Sequence, residues 1–478
     1  MKTKSKPLHY GLSLLAAGAA LYGVTATDQA HAATLTTLVE FNNNTAPKGL
    51  NPWGGLVQGT DGNFYGLTAD GGANSSGTAF KMTPAGVLTT LVEFNNTTAP
   101  KGRGPLGSLV QGTDGNFYGL SYLGGVNNKG TAFKMTPAGA LTTLVEFNRW
   151  SEPKGAYPQG SLVRGTDGNF YGLAQAGGAN DYGTAFKMTA AGVLTTLVEF
   201  NKTTAPKGQA PLGSLVRGTD GNFYGLTKWG GTNDAGTAFK MTPAGVLTTL
   251  VEFNNTAPNG AFPEGSLVQG TDGNFYGVTG IGGLNNNGTV FKMTPAGVLT
   301  TLVLFNRYTA PKGSGPSGSL VQGTDGSFYG TTAGGGDNYA GTAFRMTPAG
   351  ALTTLVEFNG TTEPKGSSAT GSLAQGTDGN FYGMTQYGGA NDSGTAFKLV
   401  VTAVAQVPVV AIVKSGGNAI ISWPADAAGY VLDQTSTLLG SPIPWTLVPQ
   451  NTYQTNGSTV SVTAPAGPDN QFFRLRKQ

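Results

Sequence analysis

Residues 108–119 read SLVQGTDGNFYG, and close variants of this stretch recur six more times along the chain. Its aspartate occupies seven positions, spaced by 53, 53, 53, 52, 53 and 53 residues: Asp61, Asp114, Asp167, Asp220, Asp272, Asp325 and Asp378. Two further strings, GTAFK from Gly130 and LTTLVEF from Leu141 in the second copy, also occur seven times with small changes. Seven tandem copies of one unit therefore fill most of the chain.

Each unit predicts four short strands. In the second copy these are strand A at Ser108–Gly112, strand B at Phe117–Ser121, strand C at Thr131–Met135 and strand D at Leu141–Phe147. The Asp-Gly pair between A and B favours the left-handed backbone of a tight hairpin turn. β-Branched and aromatic residues lie between Gly, Pro and Asn clusters, without helical periodicity. Repeated four-stranded units of this length are typical of an all-β protein, the β-propeller.

The repeats do not begin at the start of a unit. The first recognisable element is a strand D at Leu35–Phe41, and the last is a strand C at Thr395–Lys398. Pairing of these two segments would close a ring and remove an open sheet edge. We therefore predict a seven-bladed β-propeller over residues 33–403, closed by its N-terminal strand. The split first unit argues against the alternative, a linear β-solenoid.

The repeat resembles a known family, the Gloeo/Verruco (GloVer) tandem repeats of secreted bacterial proteins. The resemblance lies in residues 108–119, in the following Gly124-Gly125 and in the GTAFK string at 130–134. It covers roughly residues 35–400, and every copy matches. It implies an exported repeat protein, in relatives often attached to different C-terminal anchors, with no defined enzymatic activity.

Residues 1–32 have the order of a secretory signal peptide. Lys2, Lys4 and Lys6 precede an apolar stretch at Leu12–Val24, and Ala30-His31-Ala32 precedes a predicted cut before Ala33. The apolar stretch is too short to span a bilayer stably, and no later segment predicts a transmembrane helix. We expect a secreted protein, extracellular or at the cell surface, with the periplasm also open. A retained membrane anchor is the alternative.

The repeat pattern stops after Lys398. Residues 404–408 read as a linker, and 409–478 as six strands between Gly, Pro and Asn turns. This predicts a small β-sandwich with an immunoglobulin or fibronectin-like layout. Residues 421–424 and 472–475 resemble a C-terminal module appended to many secreted bacterial proteins. We expect Trp423 and Trp445 to lie in its core.

Composition excludes several chemistries. The chain has 28 basic and 25 acidic residues, 11% of its 478, and no cysteine. Both histidines, His9 and His31, precede the predicted cut, after which the formal net charge falls from +3 to +1. Without histidine or cysteine, Ser-His-Asp and Cys-His nucleophiles and zinc sites are unavailable. Near-neutral charge gives no reason to expect nucleic acid as a partner. Carboxylate, tyrosine or lysine chemistry stays possible.

The recurrent acids have structural interpretations. The Thr-Asp-Gly aspartates are expected to cap their own turns. Glu93 and its counterparts in strand D (Glu40, Glu146, Glu199, Glu252 and Glu357, with Leu304 in the sixth copy) are expected to be solvated edge charges. Asn-Asp loops such as Asn180-Asp181, Asn233-Asp234 and Asn391-Asp392 could offer oxygens to calcium, but each has at most one acid. We predict ordinary turns there, with no cofactor or metal and with calcium as the alternative.

Two loops differ in every copy, whereas the A–B turn and, with one exception, the C–D turn are constant. In an up-and-down blade the variable B–C and D–A loops emerge on the same face, and binding residues usually lie on loops held by a scaffold. Exposed aromatics suit sugars or the anchor residues of a protein partner. The predicted ligand-binding residues are Trp53, Tyr122, Trp150, Tyr157, Trp229, Phe262, Tyr308 and Tyr387. Drift in unconstrained loops is the alternative.

The leading hypothesis is a secreted, non-catalytic propeller that binds a glycan or a protein through this face. One alternative is a polysaccharide-active hydrolase or lyase that uses carboxylates or tyrosine at the pore mouth, for example Glu264 with Glu152. Another is a structural component of the cell surface.

Overall fold

The computed structural model describes residues 31–43, 45–255, 260–283, 285–403, 410–425, 429–439, 442–456, 459–465 and 471–477. Residues 1–30, which hold most of the predicted signal peptide, and the whole predicted linker at 404–408 lie outside these ranges. The protein is all-β, and the single helix in the described ranges is a 3₁₀ turn at Gln450–Thr452. None of the described helical residues forms a helix long and apolar enough to cross a membrane. The chain separates into two compact units, one comprising His31–Thr402 and the other containing the residues from Ala403 onward.

The strands of the first unit are short and regularly spaced. In chain order they are β1 (His31–Glu40), β2 (Val57–Gln58), β3 (Phe64–Thr68), β4 (Thr78–Met82), β5 (Leu88–Glu93), β6 (Val110–Gln111), β7 (Phe117–Ser121), β8 (Thr131–Met135), β9 (Leu141–Glu146), β10 (Val163–Arg164), β11 (Phe170–Ala174), β12 (Thr184–Met188), β13 (Leu194–Glu199), β14 (Val216–Arg217) and β15 (Phe223–Thr227). They continue as β16 (Thr237–Met241), β17 (Leu247–Glu252), β18 (Gly260–Ala261), β19 (Val268–Gln269), β20 (Phe275–Thr279), β21 (Ile281–Gly282), β22 (Thr289–Met293), β23 (Leu299–Leu304), β24 (Val321–Gln322), β25 (Phe328–Thr332), β26 (Thr342–Met346), β27 (Leu352–Glu357), β28 (Ala374–Gln375), β29 (Phe381–Thr385) and β30 (Thr395–Ala403).

These strands form seven four-stranded sheets, one per repeat, which gives a propeller-like architecture. Six sheets are built from strands that follow one another in the chain: β2–β5, β6–β9, β10–β13, β14–β17, β19-β20-β22-β23 and β24–β27. The seventh has the order β1-β30-β29-β28, so its outer strand comes from the start of the chain. A small additional pair joins β18 and β21.

Aromatic contacts join each sheet to the next. The ring of Tyr65 in the first sheet lies 4.0 Å from that of Phe117 in the second, and equivalent pairs recur through to Tyr382 and Phe64, 4.1 Å apart. The last sheet therefore packs on the first. The inner strands are buried throughout, as in β7. A Cβ on Gly119 would lie 2.6 Å from Phe133 Cζ, so this close packing requires glycine there.

The Thr-Asp-Gly turns have the structural role that the sequence predicts. Asp114 Oδ1 accepts a hydrogen bond from the backbone N–H of Asn116 at 3.2 Å. Its other oxygen accepts from Tyr118 Oη at 2.8 Å. The aspartate therefore fixes both the turn and the tyrosine that packs on the following sheet.

The sequence predicted that the strand D glutamates are solvated edge charges, and this prediction was wrong, because they are paired. Glu93 Oε1 lies 2.6 Å from Lys48 Nζ, and Glu93 Oε2 accepts from the backbone N–H of Ala73 at 2.5 Å. The pair ties the loop that leads into a sheet to the outer strand of that sheet. Equivalent pairs join Glu40–Lys365, Glu146–Lys101, Glu199–Lys154, Glu252–Lys207 and Glu357–Lys312.

One repeat lacks both partners of this ion pair. Leu304 occupies the position of the glutamate, and in the sequence Asn259 occupies the position of the lysine. The two changes occur together, as expected if neither charge stabilises the repeat without the other.

The described residues of the second unit form seven strands in two sheets, one strand more than the sequence predicted. They are β31 (Ala411–Ser415), β32 (Asn418–Pro424), β33 (Tyr430–Thr435), β34 (Thr446–Leu447), β35 (Gln454–Asn456), β36 (Thr459–Pro465) and β37 (Phe472–Lys477), with sheet orders β31-β32-β36-β35 and β34-β33-β37. Trp423 lies in the core, as predicted, with Ile421 and Leu432. Trp445 does not. It is half-buried beneath the Arg474 guanidinium, which lies 4.3 Å from its ring centre, because it stands in a tight turn before β34, where its N–H donates to Ile443 O at 2.9 Å.

Candidate binding face

The variable B–C and D–A loops lie side by side in every repeat. Backbone pairing joins Leu50 to Asp70, Arg103 to Leu123 and Gln209 to Trp229, with equivalent bridges in other copies. Gln209 N–H, for example, donates to Trp229 O at 2.9 Å. We call the surface formed by these loops the variable face.

Residues of all seven repeats line a central channel beside this face. Residues just before each strand A form a chain of hydrogen bonds around it, in which the N–H of Ser108 donates to Ser161 Oγ at 2.7 Å. Five equivalent bonds link Gly55–Ser108, Ser161–Ser214, Ser214–Ser266, Ser266–Ser319 and Ser319–Ser372. The first copy has Gly55 where the others have serine. The channel holds a cavity of about 350 Å³.

The mouth of the channel is polar and asymmetric. Lys228 Nζ lies 2.6 Å from Glu264 Oε1 in its wall. Three wall atoms are buried and have no hydrogen-bond partner in the protein: Gln175 Oε1, Ser317 Oγ and Thr370 Oγ1. Trp53 and Tyr122 complete the lining on the side of the first two sheets.

The first aromatic cluster surrounds Tyr157. The rings of Tyr122 and Tyr157 are 5.2 Å apart, and Lys129 Nζ donates to Tyr157 Oη at 2.8 Å. The Arg149 guanidinium lies 5.3 Å from the Trp150 ring and 5.9 Å from that of Tyr157. Burial, with the neighbouring Tyr157, raises the pKa of Tyr122. Tyr122 therefore belongs both to the channel wall and to this cluster.

The second aromatic cluster joins Trp229 and Phe262. Their ring centres are 4.4 Å apart, and Lys228 Nζ lies 5.7 Å from the Trp229 ring. This cluster adjoins the channel through Lys228 and its partner Glu264.

The remaining predicted aromatics are more dispersed. Trp150 and Tyr308 are 60% and 58% exposed, and they occupy the same position in different repeats. Tyr308 packs edge-on against Tyr339 at 5.8 Å, a residue that the sequence analysis missed. Tyr387 is exposed, and its hydroxyl accepts from Gln386 Nε2 at 2.9 Å.

Two of the predicted aromatics, like Tyr339 with φ 57°, have left-handed backbone conformations. Tyr157 has φ 60° and Phe262 has φ 56°. The same repeat position is also left-handed elsewhere, but there it carries Asn51, Gly104, Ala210, Gly315 and Ser368. A bulky side chain at positive φ is rare and costs free energy, and such residues cluster at ligand sites.

The acidic residues give less support to catalysis. Glu264 lines the channel, whereas Glu152 Oε2 accepts from Thr196 Oγ1 on the outer strand β13. The structure does not bring these two acids together, so the pairing suggested by the sequence was wrong. A loop position alone does not show whether its side chain faces the channel or the rim.

The loop aspartates hold their own loops. Asp181 forms a bidentate pair with Arg149, which lowers the pKa of Asp181, and it accepts from the N–H of Gly177 at 2.9 Å. Lys202 pairs with Asp234 at 2.8 Å. Within the described ranges, no three acidic or histidine side chains come together as a metal site.

The sequence profile of the Gloeobacter/Verrucomicrobia repeat matches this chain over residues 9–207, 151–311, 202–397 and 300–430. The chain belongs to the Gloeobacter/Verrucomicrobia repeat family. The resemblance seen in the repeated SLVQGTDGNFYG stretch is thereby confirmed. A search of curated protein sequences gave no match to this family member.

Two solved structures are similar to this repeat protein at low identity. Puromycin hydrolase is 12% identical with a TM-score of 0.46, over 78% of this chain and 58% of the hydrolase. A protein of unknown function from Dyadobacter fermentans is 9% identical with a TM-score of 0.41, over 77% of this chain and 99% of its own.

Proposed function

We propose that this chain is a secreted, non-catalytic seven-bladed β-propeller, followed by an immunoglobulin or fibronectin-like β-sandwich, that binds a glycan through the variable face. The closed series of seven four-stranded sheets supports the propeller assignment. The two small sheets around Ile421 and Trp423 support the sandwich.

The observation that carries the proposal is the placement of Tyr157 and Phe262. Each is a large aromatic residue at positive φ, and each packs against a second aromatic from a neighbouring loop. Strain of this kind costs about 1–3 kcal/mol per residue and persists where the surroundings enforce it. Aromatic surfaces beside amide, hydroxyl and ammonium groups match the alternating apolar and polar faces of sugars.

The contacts of Glu264, the acidic residue in the channel wall, support binding better than hydrolysis. Glu264 is engaged by Lys228 at 2.6 Å, and Glu152, its suggested partner, is at the outer strand. A glycosidase needs two carboxyl groups about 5–10 Å apart across the scissile bond.

A glycan array with the purified protein tests the proposal. The triple variant Trp150→Ala, Trp229→Ala, Tyr308→Ala should lose about 10-fold or more in signal, because exposed aromatic platforms dominate sugar contact area. The matched control is Arg164→Ala with Arg217→Ala, two exposed residues beside the invariant turns. An empty array, a protein ligand captured in place of glycans, or equal loss in the control would overturn glycan binding through this face.

A further inference from the structure

We propose that the mouth of the central channel is a subsite for a single uncharged sugar residue at the end of the glycan. This inference rests on the proposed function, because it names where and how one end of that ligand is recognised.

The size of the cavity suits one sugar ring. At about 350 Å³ it lies near the lower end of the range for ligand pockets, roughly 300–1,000 Å³. All seven repeats contribute to its wall, and the hydrogen-bonded serines around it fix its diameter.

The unsatisfied polar atoms of the wall indicate a hydroxyl-rich ligand. Gln175 Oε1, Ser317 Oγ and Thr370 Oγ1 come from three different sheets, and each is buried without a partner in the protein. A buried polar atom left unpaired costs free energy, and a small rotation of each of these side chains would turn its oxygen into the cavity, where a ligand hydroxyl could pair with it. The amide oxygen accepts hydrogen bonds, and the two hydroxyls both donate and accept. A sugar ring carries several groups that do the same.

The charge of the wall indicates a neutral ligand. Among the described residues that line the cavity, Lys228 and Glu264 are the charged ones, and they pair at 2.6 Å. Their charges cancel, so an acidic or basic ligand would enter without a net counter-charge. The pair can still exchange hydrogen bonds with hydroxyl groups through the lysine protons and the second carboxylate oxygen.

The shape of the mouth gives the direction of entry. One repeat position carries bulky Tyr122, Gln175 and Lys228 in three successive copies, then small Gly280 and Ala333, bulky Gln386 in the seventh copy and Ala69 in the first. The wall is therefore bulkier beside the three successive large residues than beside Gly280 and Ala333, which we call the open side. Tyr122 also contacts Tyr157, so an aromatic path leads from the channel onto the variable face. A terminal sugar in the channel would leave the rest of the glycan over that cluster.

Calorimetric titration of the purified protein with single sugars tests this inference. The neutral probes are glucose, galactose, mannose, xylose and N-acetylglucosamine, and the charged probes are glucuronate and glucosamine. We expect at least one neutral sugar to bind with a Kd of about 0.1–10 mM, and its charged counterpart about 10-fold more weakly.

Three variants sharpen the test. Ala333→Trp should fill the open side and abolish binding of the neutral sugar. Thr370→Val should weaken it about 5-fold while thermal stability is kept or raised, because the change removes an unsatisfied buried hydroxyl. Arg217→Ala changes an exposed residue outside the cavity lining and should bind like the unchanged protein.

The outcomes separate the two proposals. A positive glycan array with no neutral sugar bound, equal binding of charged sugars, or full binding by Ala333→Trp would overturn the channel subsite alone. Failure of both the array and the titration would overturn the proposed function as well.

Discussion

The ring of Tyr382 lies 4.1 Å from the ring of Phe64, although 318 residues separate them in the chain. This contact packs the seventh sheet on the first, just as Tyr171 and Phe223 pack the third on the fourth at 4.1 Å. The ring of sheets is therefore continuous, and the first and seventh sheets pack on each other as neighbouring sheets do elsewhere.

Because the ring of sheets is continuous, removal of equivalent aromatic side chains at different junctions should lower the free energy of unfolding by equal amounts. Tyr382→Ala and Tyr171→Ala should each lower the free energy of unfolding by about 3–5 kcal/mol, because each removes a buried aromatic contact. Denaturant titration measures both. A cost for Tyr382→Ala below about a third of that for Tyr171→Ala would show that the seventh and first sheets behave as free ends.

In the repeat that lacks the Glu–Lys pair, the effects on stability of introducing the glutamate and the lysine should depend on each other. Leu304→Glu alone should destabilise the protein by about 1 kcal/mol, because it places a half-buried carboxylate without a lysine. Adding Asn259→Lys should recover most of that loss, since the repeated pair would then be complete. The double-mutant cycle is measured by chemical denaturation. Additive effects would show that the pairing does not explain the joint change of these positions.

The paired acids predict loss of stability at low pH. Lys207 and Thr232 hydrogen bonds lower the pKa of Glu252 from 4.5 to about 2. Partial burial would raise the pKa of Asp272, but hydrogen bonds from Asn274, Lys292 and Tyr276 outweigh it and lower that pKa from 3.8 to about 2. A carboxylate with a lowered folded-state pKa stabilises the fold above its unfolded pKa, and this contribution disappears as pH falls through the folded value.

Thermal stability should therefore be level above pH 5 and fall between about 4.5 and 2. Melting curves across this range measure the effect, and Glu252→Gln should show a shallower fall than the unchanged protein. A melting temperature that stays constant down to pH 2 would contradict the role given to these acids.

Because Tyr157 is strained, its replacement should reduce glycan binding with little change in the free energy of unfolding. Tyr157→Gly relieves positive-φ strain but loses the contact with Tyr122, effects of about 1 kcal/mol each and opposite sign. The free energy of unfolding should stay within about 1 kcal/mol of the original, while glycan binding falls about 10-fold. Loss of stability by several kcal/mol with binding unchanged would make Tyr157 a packing residue.

Calcium removal should have no effect. The Asp181 and Asp234 carboxylates are already occupied by Arg149 and Lys202. EDTA should leave both the melting temperature and the array signal unchanged. A drop in either that added calcium restores would revive the calcium hypothesis for the Asn-Asp loops.

Much of the fold could be predicted because the repeat displays its strands seven times. Strands B and C of the second copy have the bounds expected from the sequence, Phe117–Ser121 and Thr131–Met135. Strand A is shorter, Val110–Gln111, because Ser108 N–H bonds to Ser161 Oγ of the next repeat and Gly112 N–H to Asn116 O across the turn.

The candidate site was less predictable, because its contacts join residues far apart in the chain. The bond between Lys48 and Glu93 spans 45 positions, so no local pattern reveals it. Lys228 and Glu264 belong to loops of different repeats, and only the ring brings them together. Tyr339 was missed because other repeats carry a polar residue, such as Asp181, at the same position. The backbone is left-handed there in both cases.

Crystallography of the protein soaked with neutral disaccharides tests the central claim most directly, since it locates the ligand. Cellobiose, maltose and chitobiose are suitable probes at about 50 mM, a concentration that occupies weak sugar sites. We predict sugar density on the variable face, in contact with Tyr122 or Trp229, with one terminal ring in the channel mouth. Density confined to the face of the Thr-Asp-Gly turns, or no bound sugar with any of the three, would contradict the account.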